Sequence, residues 1–242
     1  MRTLLARLTA GPSYPPDPID LGTFALAGLR LPRLATVAMT IMVFAVLLDF
    51  TRTLIPDELI AYDRNPAMQR LQAFYRLLLF AAVPMFVIIF GFRDRPSRYG
   101  LRLGDWRWGL TLTVTGCALM TPIVLWFAAQ PDARAWYAPS WSNLPDVLVT
   151  NAVDLASAEF LFRGFLMFAL VRAIGPVGVL VATLPFVFSH LTKPELELFS
   201  TLGGGMVYGW LAWRTGSIVW GAIAHTYILT LVMAAAAAGN PR

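Results

Sequence analysis

The chain has 242 residues, 57% of them hydrophobic and only 14% charged, with a mean hydropathy of +0.63. A soluble domain is about 45–50% apolar and about 25% charged, so the composition excludes an ordinary water-soluble enzyme and points to one polytopic transmembrane domain over residues 1–242. The net charge of +5 is carried almost wholly by arginine, Lys193 being the single lysine; no basic cluster sits on a soluble element, so nucleic acid is not an expected partner and the lipid bilayer is.

A membrane-spanning helix needs about 20 predominantly apolar residues, and that rule sets out the chain in order. Met1 to Arg33 reads as a cytoplasmic tail with a short interfacial piece near Leu21–Leu29, because it lacks a clean apolar core followed by a small-residue cleavage site. Three helices follow within residues 34–129, over about 34–54, 71–92 and 108–129. A polar loop separates the first two, and the third is preceded by the most basic loop, with Arg93, Arg95, Arg98, Arg102 and Arg107. Residues 131–143 read as a loop. Four more helices fill residues 143–238, over about 144–174, 177–191, 195–213 and 217–238. Gly175-Pro176 ends the first of them, since proline cannot continue a helix and biases its predecessor away from helical geometry. The sequence therefore predicts an all-α membrane bundle of about seven transmembrane helices. With the N-terminus inside, the inner flanks hold eleven basic residues against six outside, the bias that orients such proteins.

Ionisable residues at membrane depth are costly and mark functional sites by default. The fourth apolar run carries Asp154, Glu159 and Arg163, and the chain's two histidines, His190 and His225, lie in later runs. Glu159 and Arg163 stand at i and i+4 with the acid first, the favoured order for a pair on one helix face. At 1.5 Å per residue, Glu159 and His190 each lie about 20–24 Å from the Gly175-Pro176 turn, and His225 about 13–16 Å from the Arg214 turn on the same side. The three groups can therefore share one level. Each residue also has a plain structural reading: a buried ion pair for Glu159 and Arg163, a helix-end ring for His190, an interhelical hydrogen-bonder for His225. Asp154 reads as a solvated or structural aspartate that could alternatively stand in for a carboxylate one turn along. Ser157 and Cys117 read as packing residues, and Glu195 and Glu197 as dipole-favoured acids at a helix start. Two histidines with Glu159 lack the local spacing of a zinc protease, so no metal or other cofactor is expected beyond a water.

Taken together, Glu159-Phe-Leu-Phe-Arg163-Gly164, Phe186-Val-Phe-Ser-His190 and Arg214-Thr-Gly-Ser217 leading to Ala224-His225 resemble the CAAX-protease and bacteriocin-processing (CPBP, or Abi) family of intramembrane glutamic-type endopeptidases. Arg98-Tyr-Gly-Leu-Arg102 resembles that family's lead-in to its third helix. The resemblance runs from about Arg98 to the C-terminus. It implies an active-site core in the last four helices, a membrane-anchored peptide or protein as substrate, and the inner or plasma membrane of a bacterium or archaeon as location. It also implies roles: a first glutamate that activates water with the help of His190, His225 holding the oxyanion, Glu159 and Arg163 ordering the site, and Phe186 in support.

Two positions depart from the family pattern. Ala158 stands where the first glutamate is expected, and Leu229 where an asparagine or aspartate would assist the oxyanion. Loss of a general base typically costs about 10²–10⁴-fold in rate. Ala158 is accounted for either by an introduced substitution or by divergence toward a catalytically silent scaffold, immunity or partner-binding role. A transporter is disfavoured by the lack of an inverted repeat.

Overall fold

The computed structural model describes residues 22–56 and 64–239. It is an all-helical bundle preceded by a small hairpin. Strands β1 (Thr23–Leu26) and β2 (Leu29–Pro32) pair antiparallel, Phe24 opposite Leu31. Ala27 and Gly28 both have positive φ at the tip, the conformation that matches a two-residue turn to the strands' twist. Within the expected interfacial piece near Leu21–Leu29, the residues from Gly22 on form this hairpin, while Leu21 and the tail before it lie outside the described residues.

Helix α1 (Arg33–Thr51) ends at Arg52, whose left-handed backbone turns its N–H back to Leu48. Helix α2 (Pro66–Gly91) starts where Asn65 accepts from Met68 N–H and Pro66 supplies a pre-set φ. Its ladder widens into π-turns over Leu77–Ala82 and Val87–Gly91, on either side of the turn holding Pro84, which has no N–H to give. Helix α3 (Trp106–Ala128) is capped by Asp105. The expected loop after it contains a short helix, α4 (Pro131–Tyr137), and a 3-10 turn; proline at the first helical position starts α4 where composition alone reads as a connector.

Helix α5 covers residues 144–174 without a break, as α-helix over Leu144–Glu159, π-turns over Phe160–Met167 and α-helix over Phe168–Ile174. From Leu161 to Met167 every residue is buried. A helix that is apolar all round belongs inside a bundle, and α5 is the core on which the rest pack, with Phe162, Phe165 and Leu166 at its centre. Helices α6 (Val177–Phe188), α7 (Glu195–Thr215) and α8 (Val219–Ala238) complete the fold.

Helices α1, α2, α3 and α8 are long and apolar enough to cross a membrane by length and composition. The other three expected spans differ in kind. Helix α5 carries Asp154, Glu159 and Arg163 inside, α6 has only 12 residues, and α7 opens with two glutamates and ends with Arg214. Phe44, Phe50, Phe86, Phe90, Leu119 and Phe199 are exposed, an apolar exterior that suits lipid and not water. The chain is an integral membrane protein.

On one face the loop before α3 is tied to the turn between α7 and α8. Asp105 N–H donates to Thr215 O, Ile218 N–H to Gly100 O, and Trp220 Nε1 to Leu103 O. Gly104 makes this approach possible: a Cβ there would lie 2.0 Å from the Thr215 carbonyl oxygen, and its φ is +57°. Asp94, buried beneath, takes N–H groups from Arg98 and Arg172 at 2.9 and 3.1 Å. The Arg98–Arg102 segment is thus a structural clasp for α5, α7 and α8.

Candidate active site

Glu159 sits at the end of the regular part of α5, fully buried, and its Oε1 accepts from Arg163 Nη1 at 3.1 Å and His225 Nδ1 at 3.0 Å. Gly221 lets α8 come this close, since a Cβ there would stand 3.2 Å from Glu159 Oε2. The Arg163 guanidinium lies over the Phe186 ring, 3.9 Å from its centre. Tyr208 of α7 stacks on His225 with centroids 5.0 Å apart.

His190 lies just past the end of α6. Its Nδ1 is 2.9 Å from Phe186 O and 3.1 Å from Ser189 Oγ. A carbonyl oxygen only accepts, so Nδ1 carries the hydrogen and Nε2 is the ring's acceptor. The same logic applies to His225, whose Nδ1 donates to a carboxylate. Phe186 stands between the imidazoles, 4.6 Å from the His190 ring and 6.0 Å from that of His225.

A cavity of about 230 Å³ joins these elements. Ala158, His190, His225, Leu229 and Phe186 all line it. The two positions that depart from the family pattern therefore face the same space as both histidines. Glu159 and Arg163 do not line the cavity; they stand behind His225 and Phe186. Glu159 is 0% exposed and meets the cavity through His225, to which it is hydrogen-bonded. Glu159 Oε2 and Arg163 Nη2 have no hydrogen-bond partner among the described residues.

Asp154 lines the cavity one turn before Ala158. It is not solvated: Arg76 Nη1 holds it at 3.1 Å, while the same guanidinium grips Asp49 at 2.8 Å. Arg76 stands out in the sequence as an ionisable residue inside an apolar run, though it belongs to none of the three motifs. Tyr208 carried no such signal. Ser157 Oγ donates to Val153 O at 2.7 Å and is a packing residue. Glu197 does more than favour a helix dipole, since it accepts from Tyr137 Oη and pairs with Lys193 at 3.2 Å. Burial and then Glu197 raise Tyr137 well above the usual phenol range, so it serves as a neutral donor. Among the described residues no three His, Cys, Asp or Glu side chains come together as metal ligands.

Residues 140–231 match the family described as type II CAAX prenyl endopeptidase Rce1-like, consistent with the CPBP resemblance. That stretch runs from the start of α5 through most of α8 and includes Ala158, Glu159, Arg163, His190, His225 and Leu229, so the similarity covers the helices that build the site. No curated protein and no solved structure matches the chain.

Proposed function

We propose that the chain is an intramembrane endopeptidase that hydrolyses a peptide bond of a membrane-anchored substrate, with turnover held down by Ala158. The observation that carries this reading is the single cavity lined by Ala158, His190, His225 and Leu229. Hydrolysis needs a base to take a proton from water and donors aimed at the developing oxyanion. His190, its Nδ1 proton committed to Phe186 O, offers Nε2 as that base. Water adds to the carbonyl as its proton passes to His190, and that proton then goes to the departing amine. His225 donates to the oxyanion from Nε2 when it is protonated, with Glu159 balancing the ring's charge and Arg163 holding Glu159 in place. A carboxylate at position 158 would share the base's work; the alanine methyl gives none.

The test is cleavage of a lipid-anchored tail peptide by the purified protein and by Ala158→Glu. A gain of about 10²–10⁴-fold, abolished by adding His190→Ala, supports the reading. No gain in Ala158→Glu, with His190→Ala equally silent, removes it.

The same cavity also motivates a second reading, because its two departures, a methyl and a leucine, remove both a base and a donor. As a silent scaffold or partner-binding protein, the chain would hold a membrane protein in a complex that survives His190→Ala and His225→Ala. Loss of the complex on those changes rejects this reading.

A further inference from the structure

A hydrogen bond to one nitrogen does not fix an imidazole. The contact of His225 Nδ1 with Glu159 Oε1 at 3.0 Å holds one atom and leaves the ring free to tilt about it, and a tilt swings Nε2 across the cavity. A donor serves an oxyanion only within about 2.7–3.1 Å of it, so the aim of Nε2 matters as much as its proton. Tyr208 of α7, outside all three motifs, lies against this ring with centroids 5.0 Å apart and planes 19° from parallel. Phe186 crosses the same imidazole at 6.0 Å and 74°. Both are favoured arrangements of aromatic rings. The two rings also attend Arg163, whose guanidinium carbon is 3.9 Å from the centre of Phe186 and 5.6 Å from that of Tyr208. An aromatic face attracts a cation within about 6 Å. Tyr208 therefore meets one standing cation and one ring that becomes a cation on protonation. Its placement follows from two neighbours on α7: a Cβ at Gly205 would lie 2.7 Å from Thr183 Cγ2, and one at Gly209 would lie 2.9 Å from Val179 Cγ1. These glycines let α7 press onto α6, and Tyr208 between them reaches α8.

We propose that Tyr208 is a positioning residue that sets the plane of His225 and so aims its Nε2 into the cavity. With Nδ1 tied to Glu159 and the ring held near-parallel to the phenol, Nε2 has one direction left. His225 and Phe186 line the cavity and Tyr208 does not, so Tyr208 acts through the imidazole and touches no substrate. The flat face does this work, not the hydroxyl. That the aim of Nε2 governs a rate rests on the endopeptidase reading; that Tyr208 holds the ring rests on the stack alone.

The experiment has two arms, both on the full chain in detergent at neutral pH. In the first, isotope-labelled histidine gives ring signals for the chain's two histidines, and His190→Ala identifies those of His225. The His225 ring protons are expected upfield of a free imidazole in the wild type and in Tyr208→Phe, as a stacked aromatic face imposes. Tyr208→Leu should return them toward the free position. In the second arm, on the Ala158→Glu background, Tyr208→Leu is expected to lower kcat about 10–100-fold with KM unchanged, the scale of a misplacement of about 1 Å, while Tyr208→Phe keeps both constants. Tyr208→Met replaces Tyr208→Leu in both arms if the leucine variant does not fold. His225 signals that do not move in Tyr208→Leu overturn the proposal. So does a loss of rate in Tyr208→Phe equal to that in Tyr208→Leu, or a rise in KM with kcat kept. A silent Ala158→Glu removes the endopeptidase reading alone, and the ring signals still decide whether Tyr208 holds His225.

Discussion

His225 Nδ1 and Arg163 Nη1 converge on one oxygen of Glu159, at 3.0 and 3.1 Å. A single carboxylate thereby sets the orientation of an imidazole on α8 and neutralises a guanidinium one turn along α5. Removing one member of a buried charged set costs more than removing the set.

Glu159→Gln is accordingly expected to destabilise the fold by about 3–5 kcal/mol, because it leaves Arg163 buried beside a neutral amide. Glu159→Gln combined with Arg163→Met should recover most of that loss. Thermal unfolding of the four proteins of the double-mutant cycle in one detergent measures it; additive losses would show that the pair is not coupled.

Arg76 makes a second asymmetric case. Arg76→Met strands Asp49 and Asp154 together, whereas Asp154→Asn leaves the guanidinium its other acid at 2.8 Å. The arginine change is expected to cost about 3–5 kcal/mol and the asparagine change about 1–3 kcal/mol. A reversed order in urea or thermal melts would mean that the cavity wall is not held by this guanidinium.

Gly104→Ala should be among the most damaging single-carbon additions, since the new methyl meets the Thr215 carbonyl at a positive φ. The backbone penalty alone is about 1–3 kcal/mol. Gly116→Ala in α3 is the control: a Cβ there meets nothing within 4 Å, and helix propensity favours the change by about 1 kcal/mol. Parallel melting curves decide both.

Leu229→Asn, introduced beside Ala158→Glu, is expected to raise the rate of cleavage over Ala158→Glu alone by up to about 10²-fold, the scale of one oxyanion donor. Leu229→Ala in the same background removes the side chain without adding a donor and should give no gain. Single-turnover cleavage distinguishes the two. An equal gain from both changes would mean that space, not a hydrogen bond, was limiting.

The long helices were legible because apolar runs near twenty residues admit few other folds, and the Gly175-Pro176 break was visible as backbone chemistry. Each of the seven runs is helical within a few residues of its expected bounds. The hairpin of residues 23–32 was not legible: Ala27 shows its positive φ only in the folded chain, and nothing in the pattern alternates over more than four residues. The π-turns of α2 and α5 were also hidden, because they alter helical phase without altering composition. At the site, the shared depth of Glu159, His190 and His225 could be counted from the turns. That Glu159 stands behind His225 could not, because rotation about a helix shifts by about 100° per residue and the π-turns after Glu159 change that phase. Arg52 and Arg64 stand at the two ends of one connector and Trp136 in the short helix α4, and no spacing in the chain announces that the three line one cavity.

The matched residues 140–231 hold both histidines and the Glu159–Arg163 pair, whereas Arg52, Arg64, Gln69, Gln72 and Arg76 come from α2 and the connector before it. The cavity wall is therefore encoded by two separate stretches of sequence. Mutations in residues 52–76 can retune which molecules are admitted while the histidine-bearing helices stay untouched, so related chains with near-identical C-terminal halves can differ in selectivity.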